Sequence, residues 1–129
     1  MTETESFDLE LRVLHFVAKS VMPRIDDWSA CAEDGRILGT VFYGGLGTIV
    51  ADAFERREAL DRVVPALCAI VEYAAAGLQR SFELWAPALH EFFESLEQSP
   101  EANAWFARIA SEDIRGGAAR LGWTWARNG

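Results

Sequence analysis

Apolar residues recur along the chain at intervals of three and four with polar residues between them, the period of a helix rather than a strand. The first such run is predicted to start at Ser6, a helix N-cap residue, and to stop before Pro23. Leu9, Val13, Phe16 and Val17 make one face of it, Leu14 and Val21 widen that face, and Glu10 and Lys19 point away. Asp26 or Asp27 then caps a short second helix, DWSACAED, which Gly35 stops as a C′ residue. The stretch GTVFYGGLGTIVA at 39–51 has four glycines in its first nine positions and no charge, and it leads into a helix expected around Leu46 to Arg57.

The second half of the chain is more strongly periodic. Asp61 is the expected N-cap of a helix in which Val63, Leu67, Ile70, Val71, Ala74 and Leu78 repeat, with Pro65 tolerated in the first turn. Its one charge between Val63 and Gln79 is Glu72, so this helix is predicted to be central. Ser81 caps FELWAPALHEFFESLEQ, where Phe82, Trp85, Leu89, Phe92, Phe93 and Leu96 fall on one side. Glu83, Pro87, His90, Glu91, Glu94 and Glu97 fall on the other. Ser99-Pro100-Glu101 begins a helix carrying Trp105, Phe106 and Ile109, and the glycines at 116 and 117 are expected to interrupt the helical pattern beyond it. AARLGWTWARNG reads as a short helix or an aromatic tail packed on the bundle. RILGTVFY is the one candidate strand, and Gly39 weakens it. The expectation is an all-α fold: one compact bundle of about five to six helices spanning residues 1–129 as a single helical domain.

Composition narrows the function. Half of the 129 residues are hydrophobic and a quarter are charged, which is globular rather than disordered composition. The net charge of −8 repels phosphate backbones, so nucleic acid is not an expected partner, whereas a basic protein is. The uncharged run from Ile37 to Ala51 is shorter than the ~20 residues of a spanning helix, so no membrane role is expected. MTETESFDLE is acidic and polar, unlike a signal peptide, and points to the cytoplasm. Cys31 and Cys68 both fall in stretches that read as buried helix, where a free thiol behaves as a small hydrophobe.

The motifs that promise chemistry lack essential residues. The glycine stretch has no lysine where a phosphate loop needs one, and Val50 stands where the third glycine of G-x-G-x-x-G belongs. HEFFE at 90–94 has Glu94 in place of the second His of the zinc helix H-E-x-x-H, and no E-x-x-H pair exists for a di-iron bundle. Cys68 has His15 or His90 as conceivable bases, but its setting, PALCAIV, is apolar and keeps a thiol inert. Glu72 fits a narrow stripe with Asp61, Ala76 and Gln79 that reaches solvent. No catalytic apparatus, metal or cofactor is predicted.

The charge map does stand out. From Ser81 to Ala107 there are five acids, Glu83, Glu91, Glu94, Glu97 and Glu101, and no Lys or Arg. Four of them share a helix face with His90. That face fits an ordinary solvated surface, and it equally fits a docking surface for a basic partner whose cations the carboxylates would meet. Trp123 and Trp125 fit either core packing or interface anchors.

From Tyr43 to Leu96, YGGLGTIVADAF, ALDRVVPALCAIVEYA and APALHEFFESL together resemble a family of small helical bacterial immunity proteins from toxin–immunity loci. The shared features are an apolar helix ending in an acid, Ile70-Val71-Glu72, and a second helix closing on Phe93-Glu94-Ser95-Leu96. The resemblance implies a stoichiometric inhibitor that blocks a cognate toxin in the producing cell's cytoplasm; many such toxins are nucleases with basic active sites. It carries over no site residue. The alternatives from other classes are a helical scaffold or oligomerisation domain without a toxin partner, and a small-molecule-binding bundle with a polar cavity around Glu72 or a His.

Overall fold

Thr2, rather than Ser6, starts the first helix of the computed structural model, which describes residues 2–25, 32–33, 36–123 and 125. Helix α1 runs Glu3–Val21, and its start is a capping box: the Thr2 hydroxyl accepts from the Glu5 N–H while the Glu5 carboxylate accepts from the Thr2 N–H. It ends at Met22, just before Pro23, as predicted. Its buried face shares only Leu14 with the predicted one. Leu11, Leu14, His15 and Ala18 turn inward, whereas Leu9, Val13, Phe16, Val17 and Val21 are exposed. Both sets repeat at helical spacing, and a histidine in the inner set gives it the look of the polar side. His15 is nonetheless buried, its ring tilted against Phe42 with centroids 5.7 Å apart.

Strands β1 (Ala32–Glu33) and β2 (Arg36–Ile37) pair antiparallel, with Ala32 opposite Ile37 and Glu33 opposite Arg36. The helix expected over DWSACAED therefore does not reach Ala32 and Glu33. Asp26, Asp27, Cys31 and Gly35 lie outside the described residues. Of RILGTVFY only Arg36 and Ile37 are in a strand.

Helix α2 (Gly39–Glu55) begins seven residues earlier than expected, and all four glycines lie inside it rather than in a turn before it. A helical glycine costs about 1 kcal/mol relative to alanine. Packing against the later helix α4 (Phe82–Leu96) offsets this, since α2 and α4 form the most extensive helix contact of the fold. At Gly47 a Cβ atom would lie 2.5 Å from the Phe92 carbonyl oxygen and 2.9 Å from the Ser95 Cβ, so the two backbones meet where no side chain fits. Helix α2 closes in a Schellman motif: Glu58 N–H donates to the Ala53 carbonyl and Arg57 N–H to that of Phe54. Arg57 takes the left-handed position, φ 56°, that glycine usually holds.

Helix α3 (Val64–Arg80) has Val63, not Asp61, at its N-cap and Pro65 in its first turn. Leu67, Ile70, Val71, Ala74 and Leu78 are buried, which makes it the central helix its low charge predicted. Ser81 alone separates α3 from α4 and occupies the N-cap position of α4 without a side-chain capping bond. Ser99 caps helix α5 (Pro100–Ile109) by accepting from the Ala102 N–H at 3.1 Å. Helix α6 (Glu112–Arg120) contains Gly116 and Gly117, so they do not interrupt it. The described residues thus form an all-α bundle of six helices with one two-residue hairpin.

The core is aromatic where the helices cross. Phe92 stacks edge-on against Phe93 and Phe106, with centroids at 5.6 and 5.1 Å, and Phe7 meets Trp85 edge-on at 4.7 Å. Two polar ties cross between helices. Tyr43 donates its hydroxyl to the Ile70 carbonyl at 2.8 Å, and Glu10 on α1 accepts from the Tyr73 hydroxyl at 2.5 Å and from Arg80 at 2.9 Å. Burial, then the nearby Tyr73 and Glu10, push the Tyr43 phenol well above the usual tyrosine range. Above about pH 10 the unfolded chain loses this proton while the folded chain keeps it, so stability should fall as pH rises there. Urea midpoints should hold steady from about pH 7 to 9 and drop above about 10. Tyr43→Phe should reduce that alkaline fall, and the raised Tyr73 phenol and Cys68 thiol account for what remains of it.

Candidate partner-docking face

The exposed side of α4 is built by the same sequence that buries its other side. Trp85, Leu89, Phe92, Phe93 and Leu96 lock one stripe into the core, and this fixes the rotation of the helix. Glu83, His90 and Glu94 are thereby presented to solvent along one line, with Pro87 among them and Glu97 at the C-cap. Phe82, expected on the buried side, is 43% exposed.

The predicted acidic residues separate into three settings. Glu83, Glu94 and Glu97 are exposed on the strip with His90. Glu91 is half-buried and leans toward α2, its carboxylate 3.7 Å from where a Cβ on Gly44 would stand. Glu101 is not on the strip. It sits in the first turn of α5 beside a surface hollow lined also by Phe54, Glu55, Arg57, Gln98 and Pro100. Glu97 ends α4 and the chain then turns through Ser99 into a new helix, so face-sharing by helical spacing stops there.

Two features of this face were not legible from charge alone. The first is a shallow apolar hollow of about 430 Å³ formed by Phe82, Ala86, Pro87 and Leu121, with Glu83 and His90 at its sides. Arg120 lies over the Phe82 ring at 4.8 Å and puts one cation near its edge. The second is the support under His90. After α6 the chain turns at Gly122, φ 92°, in a second Schellman motif: Trp123 N–H donates to the Ala118 carbonyl and Gly122 N–H to that of Ala119. This turn lays Trp123 between His90 and Phe93, with ring centroids at 5.6 and 5.7 Å, while Trp125 packs on Phe93 at 5.7 Å. Both tryptophans are half-buried, and both pack on the bundle rather than standing free.

His90 Nδ1 lies 3.4 Å from a Glu94 carboxylate oxygen one turn on, and one donor atom each from His90, Glu91 and Glu94 can be gathered within 4.8 Å. All three come from one solvent-facing helix, and spacings of one, three and four residues bring such groups together whatever their use.

The other candidate groups are dispersed. Cys68 is a half-buried free thiol, and burial followed by the nearby Glu72 carboxylate raises its pKa, which keeps it in the un-ionised, unreactive form. Glu72 is half-buried, and with Asp61, Ala76 and Gln79 exposed it follows the solvent-reaching stripe. Among the described residues no helix is long and apolar enough to cross a membrane. Set against protein-family models, curated proteins and solved structures, the chain matches none of them.

Proposed function

We propose that this chain is an immunity-type protein that neutralises a cognate toxin in the cytoplasm by stoichiometric blocking, with the exposed face of α4 as its docking surface. The observation that carries this reading is the pairing of an apolar hollow with a line of carboxylates on one rigid helix. Protein interfaces combine a central anchor pocket with a polar rim, and the hollow at Phe82, Ala86, Pro87 and Leu121 beside Glu83 and His90 has that composition. The net charge of −8 and the absence of Lys and Arg from Ser81 to Ala107 favour a basic partner. A nuclease fits that charge best, because its active-site surface is built to attract an anion. The resemblance of Tyr43–Leu96 to immunity proteins points the same way.

Affinity capture with the tagged full chain from its source cells should recover one basic protein at a 1:1 ratio. Titrating the pure chain into that protein should abolish its toxic activity at equivalence. A partner that is acidic, or one whose activity persists at a saturating excess of the chain, would sink the proposal.

A further inference from the structure

Helix α1 has two apolar faces, and among the described residues only one is covered. The side that carries Leu11, Leu14 and Ala18 is buried, and the helix packs chiefly against α3 and touches β2. On the opposite side Val13 is 64% and Phe16 75% exposed, with Leu9, Val17 and Val21 also open to solvent. The spacing of that side is regular. Thr2, Ser6, Leu9, Val13, Phe16 and Ser20 succeed one another at intervals of four, three, four, three and four, the rhythm of a helix–helix seam with polar ends and an apolar middle.

The charges beside the seam say what fits it. Glu3, Glu5, Asp8 and Glu10 occupy the first half of α1, and Arg12 and Lys19 the second, with no acid between Leu11 and Val21. Down one flank Glu5, Arg12 and Lys19 recur every seven residues. Two such helices in parallel would bring the Glu5 flank of one copy to the opposite flank of the other, so that Glu5 meets Glu10. Run antiparallel, with Leu9 of one copy opposite Phe16 of the other, they set each Glu5 beside a Lys19, whose ammonium also donates to the Pro23 and Ile25 carbonyls of its own chain. The two Arg12 side chains then meet at the middle, each already bridged to Asp8 of its own chain at 3.0 Å. A basic partner suits this seam poorly, because half of its flank is itself basic.

We propose that α1 is a self-association element: two copies of the chain pair antiparallel through Leu9, Val13 and Phe16 about a two-fold axis close to Val13. The contact is isologous, so it closes as a dimer and does not propagate. A seam of about three turns is small for a specific interface, which places the dimer in the range of roughly 10–100 μM. The α4 docking face is a different surface, so the pairing does not depend on the proposed function.

Sedimentation of the full chain from about 5 to 500 μM tests it. The expected result is a reversible monomer–dimer equilibrium that Phe16→Glu weakens at least about 30-fold. Phe16 is solvent-exposed, so that variant should keep the wild-type melting curve, which confirms that the fold is intact. Orientation is read by disulfide trapping in a chain with Cys31→Ser and Cys68→Ser. A mixture of Leu9→Cys and Phe16→Cys chains should cross-link faster than Leu9→Cys chains with one another. A monomer at every concentration, a dimer indifferent to Phe16→Glu, or faster Leu9→Cys self-linking would each overturn the proposal. So would a monomeric chain in which Phe16→Glu instead abolishes capture of a different protein, since the seam would then belong to that partner.

Discussion

Gly47→Leu should leave the chain largely unfolded, and even Gly47→Ala should lower its stability by about 1–3 kcal/mol. The reason is distance. A Cβ at residue 47 would stand 2.5 Å from the Phe92 carbonyl oxygen and 2.9 Å from the Ser95 Cβ. The first obstacle is backbone, so no rotamer change relieves it; α2 and α4 must move apart along the fold's main helix pair. Separation would loosen the layer in which Phe42, Leu46, Phe92 and Leu96 are all essentially inaccessible to solvent. Leucine adds three more carbons to the same contact and exceeds what local relaxation can absorb. Gly45 supplies the internal comparison. Nothing lies within 4 Å of its added Cβ, so Gly45→Ala in the same helix should stabilise by about 0.5–1 kcal/mol through the better helix propensity of alanine. Urea denaturation of the two alanine variants settles it: a Gly47→Ala midpoint equal to the wild type would mean that this glycine does not set the α2–α4 distance.

That contrast also marks how far residue type alone reaches. The glycine run betrays close packing, but not that the helix continues through it. Propensity disfavours four glycines in one helix, and a contact forty-five residues downstream overrides it. The same holds at Gly116 and Gly117, where Gly117 faces Ala75 on α3 with its added Cβ 3.0 Å away. Helix α1 misleads in the opposite way. Two stripes of similar hydrophobicity repeat along it, and periodicity names a helix without saying which stripe has a neighbour. The inner stripe includes His15, so the more uniformly apolar outer stripe reads as the core side. For α4 there is no such ambiguity, because a stripe with Trp85, Phe92 and Phe93 opposes one with glutamates, and its acidic residues can be placed by number. The hollow beside them is not legible: it needs Leu121, which the turn at Gly122 brings from the far end of the chain. Separation of Glu101 from the strip is legible, since Ser99-Pro100-Glu101 marks the start of a new helix.

Reversing charge on the strip should slow association with the basic partner about 10- to 100-fold at low salt. The choice of residues rests on their settings. Glu91 is half-buried beside Gly44, so lysine there would disturb packing as well as charge. Glu94 and Glu97 are exposed, and the Glu94 contact to His90 at 3.4 Å is a surface pair whose loss contributes little to stability. In Glu94→Lys/Glu97→Lys each substitution adds two positive charges, which takes the formal net charge from −8 to −4. More of the effect comes from where those charges stand, since the line that guides a cation-rich surface toward the hollow now repels it. Steering acts over roughly a Debye length, about 10 Å at 0.1 M salt, so raising salt should shrink the difference between variant and wild type. Dissociation should change less than association, because these residues stand at the rim and not in the apolar centre. Pro87→Glu, which puts a charge at the exposed side of the hollow, should do the reverse and act mainly on dissociation. Stopped-flow rates across a salt series separate the two outcomes. If Glu94→Lys/Glu97→Lys associates at the wild-type rate at all salt concentrations while remaining folded, the toxin meets another surface, and the carboxylates of α4 are only its solvated side.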